Sequence, residues 1–377
     1  MDLAEGFVMR VLFDHSVFSL QERGGISRYF CELVRNLQRY QKRSPRILAP
    51  CHQSALLREM EDLPVTGRYV PPLPHTHRLR QWVNNCISTL ALPTMRPDII
   101  HATYYLGKVR IPAGIPLVVT VFDMIHERFP QNLPPGEEFI ARAKKECVER
   151  ADHVICISEQ TKRDLVDIIG IDEQKITVIY LGCSFPLDGG MDTSPLVKEP
   201  YFLYVGNRGG IKNWMRFVEA FARSRRQGRE FRLVCFGGGA LTDEELRMAG
   251  EFGIASQNLI QIGGDDAVLE NLYRHAVALV YPSLYEGFGL PLLEAMSCNC
   301  PVICSGSSSL PEVAGQAALF FDPHSTEALR DCMERVADST DLRKQLITAG
   351  RKQCRQFSWK RCAEETLQIY KKCLKMN

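Results

Sequence analysis

The sequence predicts an α/β protein made of two doubly wound, Rossmann-like halves that face each other across a cleft. Three observations carry this reading. Short β-branched and apolar runs alternate with amphipathic stretches at helical spacing. The alternation breaks over 186–200, where Pro186, Gly189, Gly190, Pro195 and Pro200 collect with little apolar content, and then restarts. A chain of 377 residues is also long for one hydrophobic core and comfortable for two.

In the first half, strands are expected at 11–13, 99–101, 117–122, 154–157 and 175–179, with helices at 27–38, 137–151 and 160–169. Tyr29, Phe30, Leu33 and Val34 form the apolar stripe of the first helix, and Ser158 is placed to cap the third. In the second half, strands are expected at 201–205, 232–236, 259–262, 278–281, 301–304 and 318–320, with helices between them. A last amphipathic helix spans 359–374. The expected domains are 1–185 and 200–357, with 358–377 a terminal segment available to pack back on the first.

Composition narrows the class. The chain is 45% hydrophobic and 24% charged with a net charge of +2, so no global bias toward nucleic acid exists. Two basic clusters, Arg39, Lys42, Arg43, Arg46 and Arg223, Arg225, Arg226, Arg229, Arg232, read most simply as solvated faces. The 14 cysteines are scattered, without zinc-type spacing, and several sit in apolar runs where cysteine acts as a small hydrophobe. Free thiols in an enzyme-sized chain fit a reducing cytosol. The acidic start of the chain does not resemble a signal peptide, and no run of about 18 apolar residues is present.

The segment from Tyr285 to Met296 carries the strongest chemical signal. Its Glu286-Gly287-Phe288-Gly289-Leu290-Pro291 follows an expected strand and opens a helix. Glycine lets backbone N–H groups approach a ligand, and Pro291 suits a first helical turn. Glu294 is expected in that first turn, near the positive dipole end. Two carboxylates facing one turn suit the vicinal hydroxyls of a sugar or ribose; a helix-start charge and a loop charge are the plainer alternative.

These residues resemble glycosyltransferase family 4. Glu286, seven residues, Glu294, then Ser297 to Val302, Ser309-Leu310-Pro311-Glu312-Val313-Ala314-Gly315 and Phe321-Asp322-Pro323 match its pattern across most of the second half. The resemblance implies the two-domain GT-B fold and retaining transfer from a nucleoside diphosphate sugar. It implies that Glu286 contacts the transferred sugar, that Glu294 binds the ribose, and that backbone amides of Phe288, Gly289 and Leu290 face the sugar and phosphates.

Three further loops are placed by the same resemblance. Gly206-Asn207-Arg208-Gly209-Gly210-Ile211-Lys212 joins a strand to a helix, a ready anion site to which Arg208 and Lys212 add charge. Phe236-Gly237-Gly238-Gly239 resembles the glycine turn near the nucleotide, and Asp266 stands where the base is held, an aspartate that suits the two N–H donors of guanine. An exposed turn aspartate is the plainer alternative there.

In the first half, Gly24 and Gly25 occupy the family's glycine loop, which approaches the donor phosphates. Many relatives have a sugar-contacting histidine where this chain has Phe122, so Asp123 and His126 are the nearest polar candidates. No cofactor and no metal are expected, because Arg208, Lys212 and helix N-termini address the diphosphate. The expected donor is GDP-mannose and the expected acceptor a glycan or lipid-linked glycan of cell-surface polysaccharide or lipopolysaccharide assembly. The expected location is cytoplasmic, with peripheral membrane contact through Arg39, Lys42, Arg43, Arg46, Arg78 and Arg80. A sugar-nucleotide epimerase or hydrolase of the same fold, or an inactive binding protein, are the alternatives.

Overall fold

The computed structural model describes residues 9–40, 45–73, 76–105, 111–133, 136–185, 194–224 and 231–376. Lys42, Arg43, Arg225, Arg226, Arg229, most of the expected linker (186–193) and the start of the chain (1–8) lie outside the described residues. The chain divides into two compact units, 1–182 with 359–377 and 183–358.

The first unit contains β1 (Val11–Phe13), α1 (Ser16–Leu20), α2 (Gly25–Leu37), β2 (Arg46–His52), α3 (Ala55–Glu59), β3 (Val65–Tyr69) and α4 (His77–Met95). It continues with β4 (Ile99–Ala102), β5 (Leu117–Val121), α5 (Ile125–Arg128), α6 (Glu138–Arg150), β6 (His153–Cys156), α7 (Glu159–Ile169) and β7 (Ile176–Val178). The seven strands are all parallel, in the order β3-β2-β1-β4-β5-β6-β7. Order reverses between β1 and β4, which makes the carboxyl ends of these strands the switch point where ligands bind in open α/β sheets.

Strands β2 and β3 escape a reading by pattern for a visible reason. Pro50 interrupts β2, and the register shifts between Leu48 and Cys51 to accommodate it. In β3, a Cβ on Gly67 would lie 1.7 Å from the Ala49 carbonyl oxygen, so this sequence position tolerates only glycine. Ser158 Oγ accepts from Thr161 N at 3.0 Å, the cap expected for α7.

The second unit contains β8 (Tyr201–Val205), α8 (Trp214–Arg223), β9 (Arg232–Phe236), α9 (Asp243–Glu251), β10 (Leu259–Ile262), α10 (Asp266–His275) and β11 (Ala278–Tyr281). It ends with α11 (Leu290–Ser297), β12 (Val302–Ser305), α12 (Leu310–Ala314), β13 (Ala318–Phe321), α13 (Thr326–Asp338) and α14 (Thr340–Cys354). Its parallel order β10-β9-β8-β11-β12-β13 reverses between β8 and β11. The core is apolar and aromatic: Tyr204 meets Trp214 edge-on at 4.7 Å, and Phe202 stacks on Phe231 at 5.4 Å. The segment before β8 is docked on α10, with Asn271 Oδ1 accepting from Leu196 N and Asn271 Nδ2 donating to Ser194 O, both at 3.1 Å.

Helix α15 (Trp359–Met376) returns to the first unit and packs on α2. His101 of β4 is wholly buried beneath it, with Nδ1 2.6 Å from Tyr370 Oη and Nε2 2.9 Å from Thr120 Oγ1. Burial lowers the His101 pKa to about 3, so the ring is neutral here.

Candidate active site

The second unit brings three loops together at the carboxyl ends of β8, β9 and β11. Leu284 N donates to Ile211 O at 2.7 Å, and Asn213 Nδ2 donates to the carbonyls of Pro282 and Pro323 at 3.0 and 2.8 Å. These bonds hold the Gly206–Lys212 loop against the Glu286 loop. Lys212 Nζ consequently donates to Glu286 Oε1 at 2.7 Å. The lysine ammonium also lies 5.9 Å from the centre of the buried Tyr281 ring. Burial, reinforced by the Glu286 carboxylate, pushes the Tyr281 phenol well above its ordinary pKa, so it remains neutral.

The Glu286 loop is pinned from behind by serines whose role was not read from the sequence. Ser309 Oγ donates to the carbonyls of Glu286 and Phe288, each at 2.9 Å, while Ser308 Oγ accepts from Glu286 N at 2.9 Å. Ser307 Oγ donates to Leu284 O at 2.9 Å. Ser309 opens a stretch that the family resemblance already marks, but the loop it holds is revealed only by the return of β12 beside β11. Phe288 is buried edge-on against Phe357, and Gly289 takes φ +114° at the N-terminus of α11. Leu290 begins that helix and Pro291 follows it in the first turn.

Two expectations need correction. Glu294 is not in the first turn of α11: the helix begins at Leu290, which makes Glu294 its fifth residue and removes the helix-start role. Its Oε2 instead accepts from Tyr273 Oη at 3.1 Å. Burial, then the charge of Glu294, holds the Tyr273 phenol protonated. Arg80, expected to face a membrane, is buried, pairs with Gln53 and donates to Pro71 O at 3.1 Å.

Arg208 has an unexpected set of partners. Its side chain is 4% exposed, and Nε donates to Glu245 Oε1 at 2.7 Å. The remaining guanidinium hydrogens reach the carbonyls of Gly237 at 2.8 Å, Gly238 at 3.2 Å, Gly239 at 3.1 Å and Ala240 at 2.8 Å. Gly237, Gly238 and Gly239 all have positive φ, which turns successive carbonyls toward the one arginine. A Cβ on Gly238 would lie 2.8 Å from Arg208 Nη1. Gly206, at φ +127°, donates its N–H to Phe236 O. Asp266 is exposed at the start of α10, one residue after the capping Asp265.

In the first unit, Gly24 is the N-cap of α2 and Gly25 its first residue, with α1 between them and β1, and Asp123 and His126 follow β5. Gly24 has the extended φ of −179°, so its backbone does not require glycine; a side chain there would meet the end of Gln21. Phe122 packs edge-on against Tyr29 of α2 at 5.2 Å, joining the two loops' supporting elements. Asp123 Oδ1 accepts from Ile125 N at 3.0 Å, a turn bond at the entry of α5. His126 is largely buried, with Nε2 3.4 Å from Glu137 Oε2 and neither ring nitrogen hydrogen-bonded.

Lys144 was missed. It lies on α6 in a stretch of charged residues and looks solvent-facing, yet its side chain is 1% exposed. Nζ donates to Glu127 Oε2 at 2.9 Å and to Asp123 O at 2.8 Å, and lies 5.5 Å from the Tyr105 ring. The signal was available only as an i, i+4 lapse in polarity among Ile140, Lys144 and Val148, the buried face of α6.

Comparison with known proteins accords with this geometry. Residues 192–353 match Glycosyl transferases group 1, and residues 23–184 match Glycosyltransferase Family 4. An O-antigen chain mannosyltransferase B from Escherichia coli is 30% identical over 243 residues, 62% of this chain and 64% of that protein. A serotype-specific mannosyltransferase WbdA from Escherichia coli is 27% identical over 76% of this chain but only 38% of its own length. The chain thus spans less than two thirds of these relatives. Among solved structures, the sucrose-phosphate synthase of Thermosynechococcus elongatus shares the fold with a TM-score of 0.76 at 19% identity, covering 98% of this chain and all of that one. WaaG, a glycosyltransferase involved in lipopolysaccharide biosynthesis, gives 0.73 at 17% over 96% and 99%. The two family models, one on each half, mark the chain as a glycosyltransferase of the family 4 type, and its two parallel sheets have the GT-B fold.

Proposed function

We propose that the protein is a retaining hexosyltransferase that moves a sugar from a nucleoside diphosphate to a glycan or lipid-linked acceptor. The observation that carries this reading is the Lys212–Glu286 contact of 2.7 Å at the β8/β11 switch point. In the reaction, the bond from anomeric carbon to phosphate oxygen breaks and the diphosphate leaves with the electron pair. The acceptor oxygen bonds to the same carbon, and its proton passes to a base. Lys212 offsets the charge of the departing diphosphate, helped by backbone amides around Phe288, Gly289 and Leu290. Glu286 binds the transferred sugar and stabilises positive charge at its ring. Glu294, held by Tyr273, binds the ribose.

Asp123 and His126 are assigned to the reacting sugar and acceptor. Support comes from their place directly after β5, at the carboxyl end of a strand beside the β1/β4 switch point, where open α/β sheets bind ligands. Mannose is the proposed sugar because two E. coli relatives carry that activity in their names, and GDP the proposed carrier, with Asp266 at the base. The same names motivate an O-antigen or lipopolysaccharide setting. No metal is required on this reading, and the protein works in the cytoplasm, peripherally at a membrane. Among the described residues no helix is long and apolar enough to cross one.

The test is donor turnover by the purified protein, with GDP-, UDP- and dTDP-sugars, with and without glycan acceptor. Acceptor-dependent consumption of GDP-mannose with an unchanged anomeric configuration is expected. Equal consumption without acceptor would identify a hydrolase or epimerase instead.

A further inference from the structure

Helix α4 is amphipathic the wrong way round. Its buried side is polar over most of its length, where Arg80, Asn84 and Ser88 are buried, and turns apolar only near the end, at Leu92. Asn84 serves as a bracket, with Oδ1 accepting from Cys51 N at 2.8 Å and Nδ2 donating to Cys51 O at 3.0 Å and to Ser19 Oγ at 2.8 Å. Its outer side is apolar. Leu79, Trp82, Ile87 and Leu90 are 61, 64, 41 and 78% exposed, and Leu73 just before the helix is 59% exposed. A water-facing helix normally shows the opposite pattern, and contiguous exposed apolar residues mark an interaction face.

Charge identifies what covers it. Residues 63–97 contain no aspartate or glutamate, although the whole chain has 44 acidic residues in 377. The same stretch holds Arg68, Arg78 and Arg96, all exposed. A second copy of this face would bring arginines together with no carboxylate to pair them. An anionic lipid surface complements both features: acyl chains take the leucines, the interface takes the tryptophan, and headgroups take the arginines. The helix is 19 residues, about 28 Å, long enough to lie flat along a bilayer.

We propose that the outer face of α4 is a membrane-docking surface, in which Leu79, Trp82, Ile87 and Leu90 insert among anionic lipids. It deepens the lipid-linked acceptor reading and rests on it for its purpose, though its physical basis is independent. The test exploits the tryptophans. The chain has three, of which Trp214 and Trp359 are buried, so a change in emission on adding lipid reports Trp82. With vesicles of mixed phosphatidylcholine and phosphatidylglycerol, blue-shifted emission, protection from acrylamide and co-sedimentation are expected, all weakened by salt. Leu79→Ser/Leu90→Ser should lower vesicle partitioning about tenfold or more, with unchanged circular dichroism and unchanged turnover on a soluble acceptor. Wild-type emission that ignores these vesicles overturns the proposal. So does a lipid-free, concentration-dependent dimer that the double substitution dissolves, since that makes a second copy the occupant. Absent transferase activity with intact vesicle binding would overturn the functional reading alone.

Discussion

Lys212 Nζ and Glu286 Oε1 stand 2.7 Å apart, although 74 residues separate them in sequence. The pair joins the loop after β8 to the loop after β11, and on the proposed function each partner carries the charge that its own ligand would require. A negatively charged diphosphate draws the lysine, while a developing positive sugar ring draws the glutamate. The contact preorganises both groups without requiring them to be created at the moment of reaction.

Glu286 and Glu294 should separate kinetically. Glu286→Gln is expected to lower kcat about a hundredfold, because its contact strengthens as the sugar distorts. Glu294→Ala is expected to raise donor KM about tenfold with a smaller effect on kcat, since the ribose does not react. Steady-state kinetics of both variants decides; equal loss of donor affinity and nothing else would contradict the division of roles.

Arg208 is expected to act by holding the Gly237–Gly239 turn. Arg208→Ala should destabilise the second unit by about 3 kcal/mol, since Glu245 and four carbonyls lose their donor. Arg208→Lys should rescue little, because an ammonium cannot reproduce the planar fork. Thermal melts alongside donor titrations report this. An Arg208→Ala protein that melts normally and loses only donor binding would instead make Arg208 a direct phosphate ligand.

Activity is expected to survive excess EDTA. Lys212 and backbone amides supply the positive charge on this design, so a divalent ion is dispensable. Loss of most turnover on chelation, restored by Mg²⁺ or Mn²⁺, would refute it.

Asp123→Ala tests whether the loop after β5 is chemical or structural. The side chain accepts one backbone bond from Ile125, whose loss costs about 1 kcal/mol. A chemical role predicts a fall in kcat far beyond that drop in stability. Lys144→Met offers the contrast: it strips the buried ammonium from Glu127 and from the Asp123 carbonyl, and should destabilise by about 3 kcal/mol. A lowered melting temperature with normal turnover for Asp123→Ala would make the side chain structural and leave Glu286 as the carboxylate at the reacting sugar.

Acid should destabilise the first unit through His101. Its folded pKa is depressed to about 3 from 6.5, so the folded state resists a proton that the unfolded chain accepts. Its stabilising contribution is therefore fully present above about pH 6.5 and is lost as pH falls from there toward 3. His101→Gln should flatten the stability curve across that window, measured by denaturant unfolding at stepped pH. An unchanged slope would place the acid sensitivity elsewhere.

The α/β class, the strand runs from β4 onward and the family were legible because each rests on local pattern. Buried strands such as Leu203 to Val205 and Ala278 to Tyr281 are apolar in themselves, and Glu286, Glu294, Ser309 and Pro311 lie in two short recognisable stretches. What required the tertiary structure was every property that depends on a partner distant in sequence. Strand β2 holds a proline that its bulge absorbs, and β3 a glycine demanded by Ala49, so neither displays its strand pattern alone. Arg208 and Lys212 are equivalent as sequence, two cations in one glycine loop. Folding sends the first to the carbonyls after β9 and leaves the second facing Glu286. Lys144 and Trp82 make the same point from opposite sides, a buried ammonium and an exposed indole. Residue type sets what a side chain prefers, but the neighbours that long-range packing supplies decide whether that preference is met.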